Sequence, residues 1–267
     1  MPGPSGASDT LALMRMNQVK QALQAGKTVL GTSYGQLRDP EIARILRASG
    51  FDYAYLDGEH GCFGIETQQD ICRVAGLCGL TVFVRVADMQ YDLIARSLDC
   101  GADGIIFPRV ESPELLAQAV GWCKFPPIGI RGFGLTTMQA DYEAVTIPGM
   151  IAHRNENGMV ILQIETQRAF DAREELLSVP GIDVVMVGPV DLSISMGCPG
   201  QFDDPKMVDA LEKIRDTCVA KGIAPGIQAR TLALSKTWRD RGYRFLGTGS
   251  EWSMLLEKGK EVVSALR

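Results

Sequence analysis

Histidine is scarce in this chain, with only His60 and His153 in 267 residues, and two imidazoles cannot form the cluster that a zinc centre requires. Basic clusters are missing too. The 27 Lys and Arg are outnumbered by 32 Asp and Glu, for a net charge of -5, and no dense run of one sign occurs. That excludes an extended nucleic-acid or anionic-membrane footprint and leaves small molecules as partners. No apolar run approaches the ~18 residues of a membrane span. The seven cysteines (62, 72, 78, 100, 123, 198 and 218) are odd in number and contain no C-x-x-C pair. They fall mostly inside apolar segments, the pattern of reduced thiols in a cytoplasmic protein. Residues 1–8 are rich in Pro, Gly and Ser but lack the basic and apolar regions of a secretory signal.

What is abundant is alternation. Short β-rich runs at 29–33, 53–56, 82–86, 104–107, 160–164, 184–187, 224–227 and 245–247 are separated by helix-length amphipathic stretches. Those stretches lie at 39–49, 65–78, 90–100, 113–122, 168–178, 205–221, 232–241 and 251–266. Strands alternating with helices imply parallel βαβ crossovers, and eight repeats is the count that closes an α/β barrel, a (β/α)8 TIM barrel. A doubly wound open sheet is the alternative. The pattern predicts a flexible leader over 1–10 and one barrel domain over 11–267. Gly50, Gly101, Gly181, Gly222 and Gly242 each stand just before a strand. Glycine there accepts the left-handed conformation that ends a helix. The irregular stretch 126–157 reads as the one long insertion, expected to cover the active site, with His153 expected at its surface.

Candidate chemistry gathers at the strand ends, which in a barrel all open on one mouth. Asp57-Gly58-Glu59-His60 delivers an imidazole among carboxylates, a candidate acid or base. Arg85, Arg109, Gln228 and Thr248 end other runs. Gln163 and Glu165 are two apart, so period-two alternation turns both to the same face. Glu165 and Asp191 offer two hard oxygen donors and leave most of an octahedron open, which suits Mg²⁺ or Mn²⁺ better than zinc. Such a metal can chelate a 2-oxo acid and stabilise the enolate formed when a carbon–carbon bond breaks. Arg85 would offset the negative charge and His60 would move the proton of the cleaved alcohol. A lysine Schiff base is the rival mechanism, but Lys27 and Lys124 fall at a strand start and in a loop.

Five segments carry a family resemblance: Asp57-Gly58-Glu59-His60, Val84-Arg85-Val86, Pro126-Pro127-Ile128-Gly129-Ile130-Arg131-Gly132, Gln163-Ile164-Glu165-Thr166 and Gly188-Pro189-Val190-Asp191-Leu192-Ser193. In this order they resemble the metal-dependent pyruvate aldolases of the HpcH/HpaI type. The resemblance implies cleavage of 4-hydroxy-2-oxo acids to pyruvate and an aldehyde, with Mg²⁺, Mn²⁺ or Co²⁺. It also implies a homo-oligomer, a hexamer or trimer, in which the last helix packs on a neighbouring subunit. Carried over by motif, His60 is the proton-transfer residue, Arg85 stabilises the enolate, and Glu165 and Asp191 hold the metal. Gln163 contacts substrate or a metal water. The Gly188-Pro189 turn presents the backbone N–H groups of Val190 and Asp191 to the pyruvate carboxylate. For the aspartate that tunes His60 the family pattern points to Asp99, from a second subunit, whereas spacing favours Asp57. At Gln228 the family more often has an apolar residue, so this chain is expected to hydrogen-bond a hydroxyl or second carboxylate of the partner substrate. Macrophomate synthase-like and citrate-forming relatives imply an alternative, decarboxylation or condensation of oxaloacetate through the same enolate.

Plainer readings compete. Glu165 and Asp191 also suit helix N-caps, Arg85 suits a simple ion pair, and the Gly247-Thr248-Gly249-Ser250 turn suits either an anion or mere geometry.

Overall fold

The computed structural model describes residues 14–140 and 142–267; the leader expected over 1–10 lies outside the described residues. Eight parallel strands close on themselves in chain order: β1 (Val29–Tyr34), β2 (Tyr53–Asp57), β3 (Thr81–Arg85), β4 (Gly104–Phe107), β5 (Met159–Ile164), β6 (Val184–Val187), β7 (Ala224–Ala229) and β8 (Phe245–Ser250). Closure is made by β8 against β1, where Val29 pairs with Phe245. The open sheet is thereby excluded.

Around the barrel run α1 (Gln18–Gln24), α2 (Glu41–Ala48), α3 (Ile65–Cys78), α4 (Tyr91–Asp99), α5 (Pro113–Cys123), α6 (Ile147–Asn157), α7 (Gln167–Asp171), α8 (Arg173–Leu176), α9 (Pro189–Ser195), α10 (Pro205–Ala220), α11 (Leu232–Asp240) and α12 (Glu251–Leu266). Ser112, Thr166 and Thr231 cap α5, α7 and α11 by accepting first-turn N–H groups. The five glycines expected at helix ends all have positive φ, from 71° at Gly222 to 105° at Gly101.

Most strands are buried on both faces, because helices cover the outside and side chains fill the inside. Tyr53 stacks on Phe245 with ring centroids 4.1 Å apart, and Phe83 packs against both at 5.7 Å. Gly31 on the adjacent strand makes room, since a Cβ there would meet the Tyr53 ring at 2.2 Å. Truncating such a ring costs about 3–5 kcal/mol.

Three expectations change. The stretch 126–157 does not cover the mouth of its own chain. It joins α5 to β5, and a helix-to-strand connection returns to the N-terminal end of the strands, opposite the strand ends where the chemistry lies. It also contains α6, whose N-cap Thr146 and Pro148 favour a helix start. His153 on α6 is buried, 3% exposed, with Nε2 3.1 Å from the carbonyl of Arg15. Burial, and then the charge of Arg154, holds its pKa below the ordinary value.

Candidate active site

Two adjacent strands end in opposite charges. Asp57 closes β2 and Arg85 closes β3, in register, so both side chains reach the same side of the mouth. Arg85 donates from Nε to Asp57 Oδ1 at 3.1 Å and from Nη2 to Oδ2 at 2.7 Å. Its Nη1 lies 3.0 Å from Glu59 Oε2. Burial works against both charges, yet each partner compensates the other. Hydrogen bonds and charge from Arg85 hold the Asp57 carboxyl below its usual pKa, and Asp57 leads the groups that raise that of Arg85. Beneath the guanidinium lies the ring of Tyr55, 5.8 Å from it.

The turn after β2 is folded onto Asp57. Asp57 Oδ1 accepts the backbone N–H groups of Glu59 at 3.1 Å and His60 at 3.0 Å. Gly61 allows the tight return, because a Cβ there would sit 2.1 Å from the Asp57 carbonyl oxygen. The His60 side chain is left 69% exposed, with Nε2 3.7 Å from Glu59 Oε1. A solvent-facing imidazole beside a carboxylate can take and give a proton at the mouth.

Across the barrel, Gln163 and Glu165 do share a face: Gln163 Nε2 donates to Glu165 Oε2. The other oxygen, Oε1, accepts the backbone N–H of Arg109 at 2.8 Å. Arg109 holds φ at 52°, the left-handed region that a non-glycine residue rarely enters. Burial, and the nearby carboxylates of Glu59 and Asp191, push the Glu165 pKa up. Asp191 stands exposed in the first turn of α9, where N–H groups have no intrahelical acceptor. The first helical bond there is Leu192 N–H to Gly188 O, 3.0 Å.

These residues fit a divalent cation. Gln163 Oε1 is buried beside Glu165 without a hydrogen-bond partner among the described residues. Gly188 leaves the carboxylate uncovered, since a Cβ would sit 2.9 Å from Glu165 Oε2. The donors are oxygens, and among the described residues no group of three or more His, Cys, Asp or Glu comes together as a metal cage. Mg²⁺ is usually held by one or two carboxylates and completed by water or substrate, whereas a structural zinc demands four protein ligands.

The competing plain readings divide. Neither Glu165 nor Asp191 caps a helix: Thr166 caps α7 and Gly188 begins α9. Arg85 does form ion pairs, but only two of its five N–H groups are hydrogen-bonded, both to Asp57, so others remain for an incoming oxygen. Gln228 on β7 points into the mouth. Its Nε2 donates to Gly249 O at 3.0 Å, and its buried Oε1 has no partner among the described residues. The turn at 247–250 is used internally, with Ser250 and Ser253 forming a capping box for α12. Lys124 lies at the opposite end of the barrel, where its Nζ donates to the carbonyls of Asn155 and Gly158 at 2.8 and 2.7 Å. Within one chain Asp57 reaches the backbone of His60 and not its ring. Asp99 ends α4, on the far side, and accepts from Arg131 Nη2 at 2.5 Å. Glu59 and the backbone of Arg109 are the participants that strand-end reasoning passed over. Glu59 was in plain view within its tetrapeptide, while nothing in the sequence marks the left-handed Arg109.

Comparison with known proteins agrees over nearly the whole chain. Residues 33–257 match the profile of the HpcH/HpaI aldolase/citrate lyase family. A hydroxypyruvate/pyruvate aldolase of Roseovarius nubinhibens is 33% identical over 94% of this chain and 97% of its own length. A 4-hydroxy-2-oxo-heptane-1,7-dioate aldolase of Salmonella heidelberg is 32% identical over 93% of this chain and 94% of its own. The crystal structure of an HpcH/HpaI aldolase from Desulfitobacterium hafniense superposes with a TM-score of 0.89 at 30% identity, covering 94% of this chain and 97% of that one.

Proposed function

Because this chain belongs to the HpcH/HpaI aldolase/citrate lyase family, we propose that it cleaves and forms 4-hydroxy-2-oxo acids as a divalent-metal-dependent aldolase, releasing pyruvate and an aldehyde. One observation carries this reading. Glu165, bonded to Gln163 at the end of β5, feels the charge of Asp191 at the start of α9, which supports a shared hard-oxygen site, and the same mouth holds an arginine anchored by two carboxylates.

A cation held by Glu165 and Asp191, Mg²⁺ or Mn²⁺ with Co²⁺ as a further candidate, would polarise the oxygens of a 2-oxo acid. The protein's own residues supply the rest. The first-turn N–H groups of Val190 and Asp191 bind the substrate carboxylate, positioned by the Gly188-Pro189 turn, while the amide of Gln163 orients the adjacent oxygen. Arg85, held in place by Asp57 and Glu59, turns its remaining N–H groups toward the oxygen on which negative charge develops. His60 takes the proton from the 4-hydroxyl as the bond breaks and returns one in the reverse direction. Gln228 Oε1 accepts a hydrogen bond from a hydroxyl of the aldehyde portion, which favours a hydroxylated aldehyde over a plain alkyl one.

The assembly belongs to the same reading. On α12 only Glu251 is buried, whereas Trp252, Leu255, Leu256, Val262, Val263 and Leu266 are exposed by 46–83%. A contiguous apolar face of this kind supports packing of the last helix against another copy of the chain, in a hexamer or trimer. That copy would bring Asp99 to His60.

The test mixes the protein with pyruvate, Mg²⁺ or Mn²⁺ and a panel of short aldehydes, and separately with oxaloacetate alone. Adduct formation abolished by chelator is the expected result. Pyruvate release from oxaloacetate with no adduct from any aldehyde would overturn it in favour of a decarboxylase.

A further inference from the structure

Glu251 is the first residue of α12, 6% exposed, and its carboxylate is not spent on its own helix. One oxygen, Oε1, accepts three consecutive backbone N–H groups from the loop after β1: Gly35 at 3.0 Å, Gln36 at 2.6 Å and Leu37 at 3.0 Å. Successive N–H groups converging on one anion form a nest, and a charge-assisted bond of this type is about twice as strong as a neutral one. That loop in turn backs the catalytic turn. A Cβ on Gly35 would lie 3.5 Å from Asp57 Cβ, and one on Gly61 would lie 3.0 Å from the Gly35 carbonyl oxygen. The start of α12 is thus bonded to residues 35–37, and Gly35 in that loop lies close beside the turn that carries Glu59 and His60.

We propose that Glu251 is a positioning residue for His60, using its buried carboxylate to hold the β1 loop against the Asp57–Gly61 turn and so tying the placement of the last helix to the catalytic mouth. The inference rests on the aldolase reading for its catalytic consequence, but not for its structural one. Without the carboxylate, three N–H groups lose their shared acceptor and the loop has no other charged anchor among the contacts described. The turn then relaxes, and the imidazole samples positions away from the substrate. Displacements of about 1 Å at a catalytic group cost on the order of 10²-fold in rate.

The experiment compares wild type, Glu251→Gln and Glu251→Ala in the full-length protein loaded with diamagnetic Mg²⁺. Hydrogen exchange reads the amides of residues 35–37 and 58–61, NMR reads the His60 ring resonance, and steady-state kinetics reads kcat and KM. With only two histidines in the chain, the His60 signal is assigned by its loss in His60→Asn. The expected result for Glu251→Ala is faster exchange at both segments, a moved His60 resonance, and kcat lower by roughly 10²-fold with Mg²⁺ affinity unchanged. Glu251→Gln, which keeps an acceptor oxygen without the charge, falls between the two and is the readable variant if alanine prevents folding. Acceleration confined to 35–37 with His60 unmoved in both variants would overturn the link. So would unchanged exchange at 35–37. If the wild type shows no aldol turnover, exchange and the His60 resonance still decide the positioning role, so the two failures are distinguishable.

Discussion

Asp57 and Arg85 face each other in register across β2 and β3 and meet through two hydrogen bonds, at 3.1 and 2.7 Å, inside the barrel mouth. Both are less than a tenth exposed. The same Asp57 oxygen that receives Arg85 Nε also receives the N–H groups of Glu59 and His60, so one carboxylate aims the cation and shapes the histidine turn.

Replacing Asp57 by Asn therefore disturbs two catalytic groups and an ion pair at once. Its folded pKa is depressed, so between the folded and unfolded values the unfolded chain holds more protons and stability falls as pH falls. Wild type should lose stability on acidification through the carboxylate range, and Asp57→Asn should lack that part of the slope. At neutral pH the variant should be weaker by on the order of 3 kcal/mol, because the buried arginine loses the carboxylate that accepts both of its hydrogen bonds and keeps only Glu59. Urea midpoints at several pH values check this; parallel curves would count against it.

Glu165→Ala and His60→Ala should fail differently. The first is expected to lose Mn²⁺ binding and activity together, and the second to keep Mn²⁺ and lose turnover by ~10²-fold or more. Calorimetric titration with Mn²⁺ separates them. Equal metal affinity in wild type and Glu165→Ala would contradict the ligand assignment.

Gly188→Ala probes the cradle beside Glu165. The added methyl lies 2.9 Å from Glu165 Oε2 and 3.0 Å from Gln163 Nε2, both on side chains that can move. The expected outcome is a folded protein with metal affinity reduced about 10- to 100-fold, the usual effect of disturbing the surroundings of a ligand. Undiminished affinity would show that the carboxylate does not need that space.

His153 is buried neutral at the far end, with its pKa below 6.5 because burial disfavours the cation. The unfolded chain takes up the proton first as pH falls, so stability declines from about 6.5 downward. His153→Gln should flatten the stability profile between pH 7 and 5 while leaving kcat unchanged at neutral pH. Thermal melts across that range measure it.

The exposed face of α12 sets an expectation for assembly. Leu255→Lys with Leu256→Lys should shift sedimentation toward the single chain, since two charges would enter an apolar contact. An unchanged sedimentation coefficient would assign that face to something other than a second copy.

Much of the site was legible in one dimension because strand ends are local events. The alternation of runs placed all eight strands within two or three residues of their observed bounds, and Gln163 with Glu165 shared a face because strand side chains alternate with period two. The place of the stretch 126–157 is not legible in the sequence, because irregular composition does not reveal which end of a barrel it serves. Its place follows from chain direction, helix to strand, and not from its residues.

Amino-acid order by itself determined the repeat, the barrel and the identities of the groups that end each strand, because periodicity and turn chemistry act over a few neighbours. Only the closed tertiary structure decided that Glu59 bridges Arg85 and His60, that Arg109 turns its N–H toward Glu165, and that Glu251 grips a loop more than two hundred residues earlier. Those contacts depend on closing β8 against β1 at a particular register, and the distances this sets between strand ends are properties of the whole sheet that no single segment encodes.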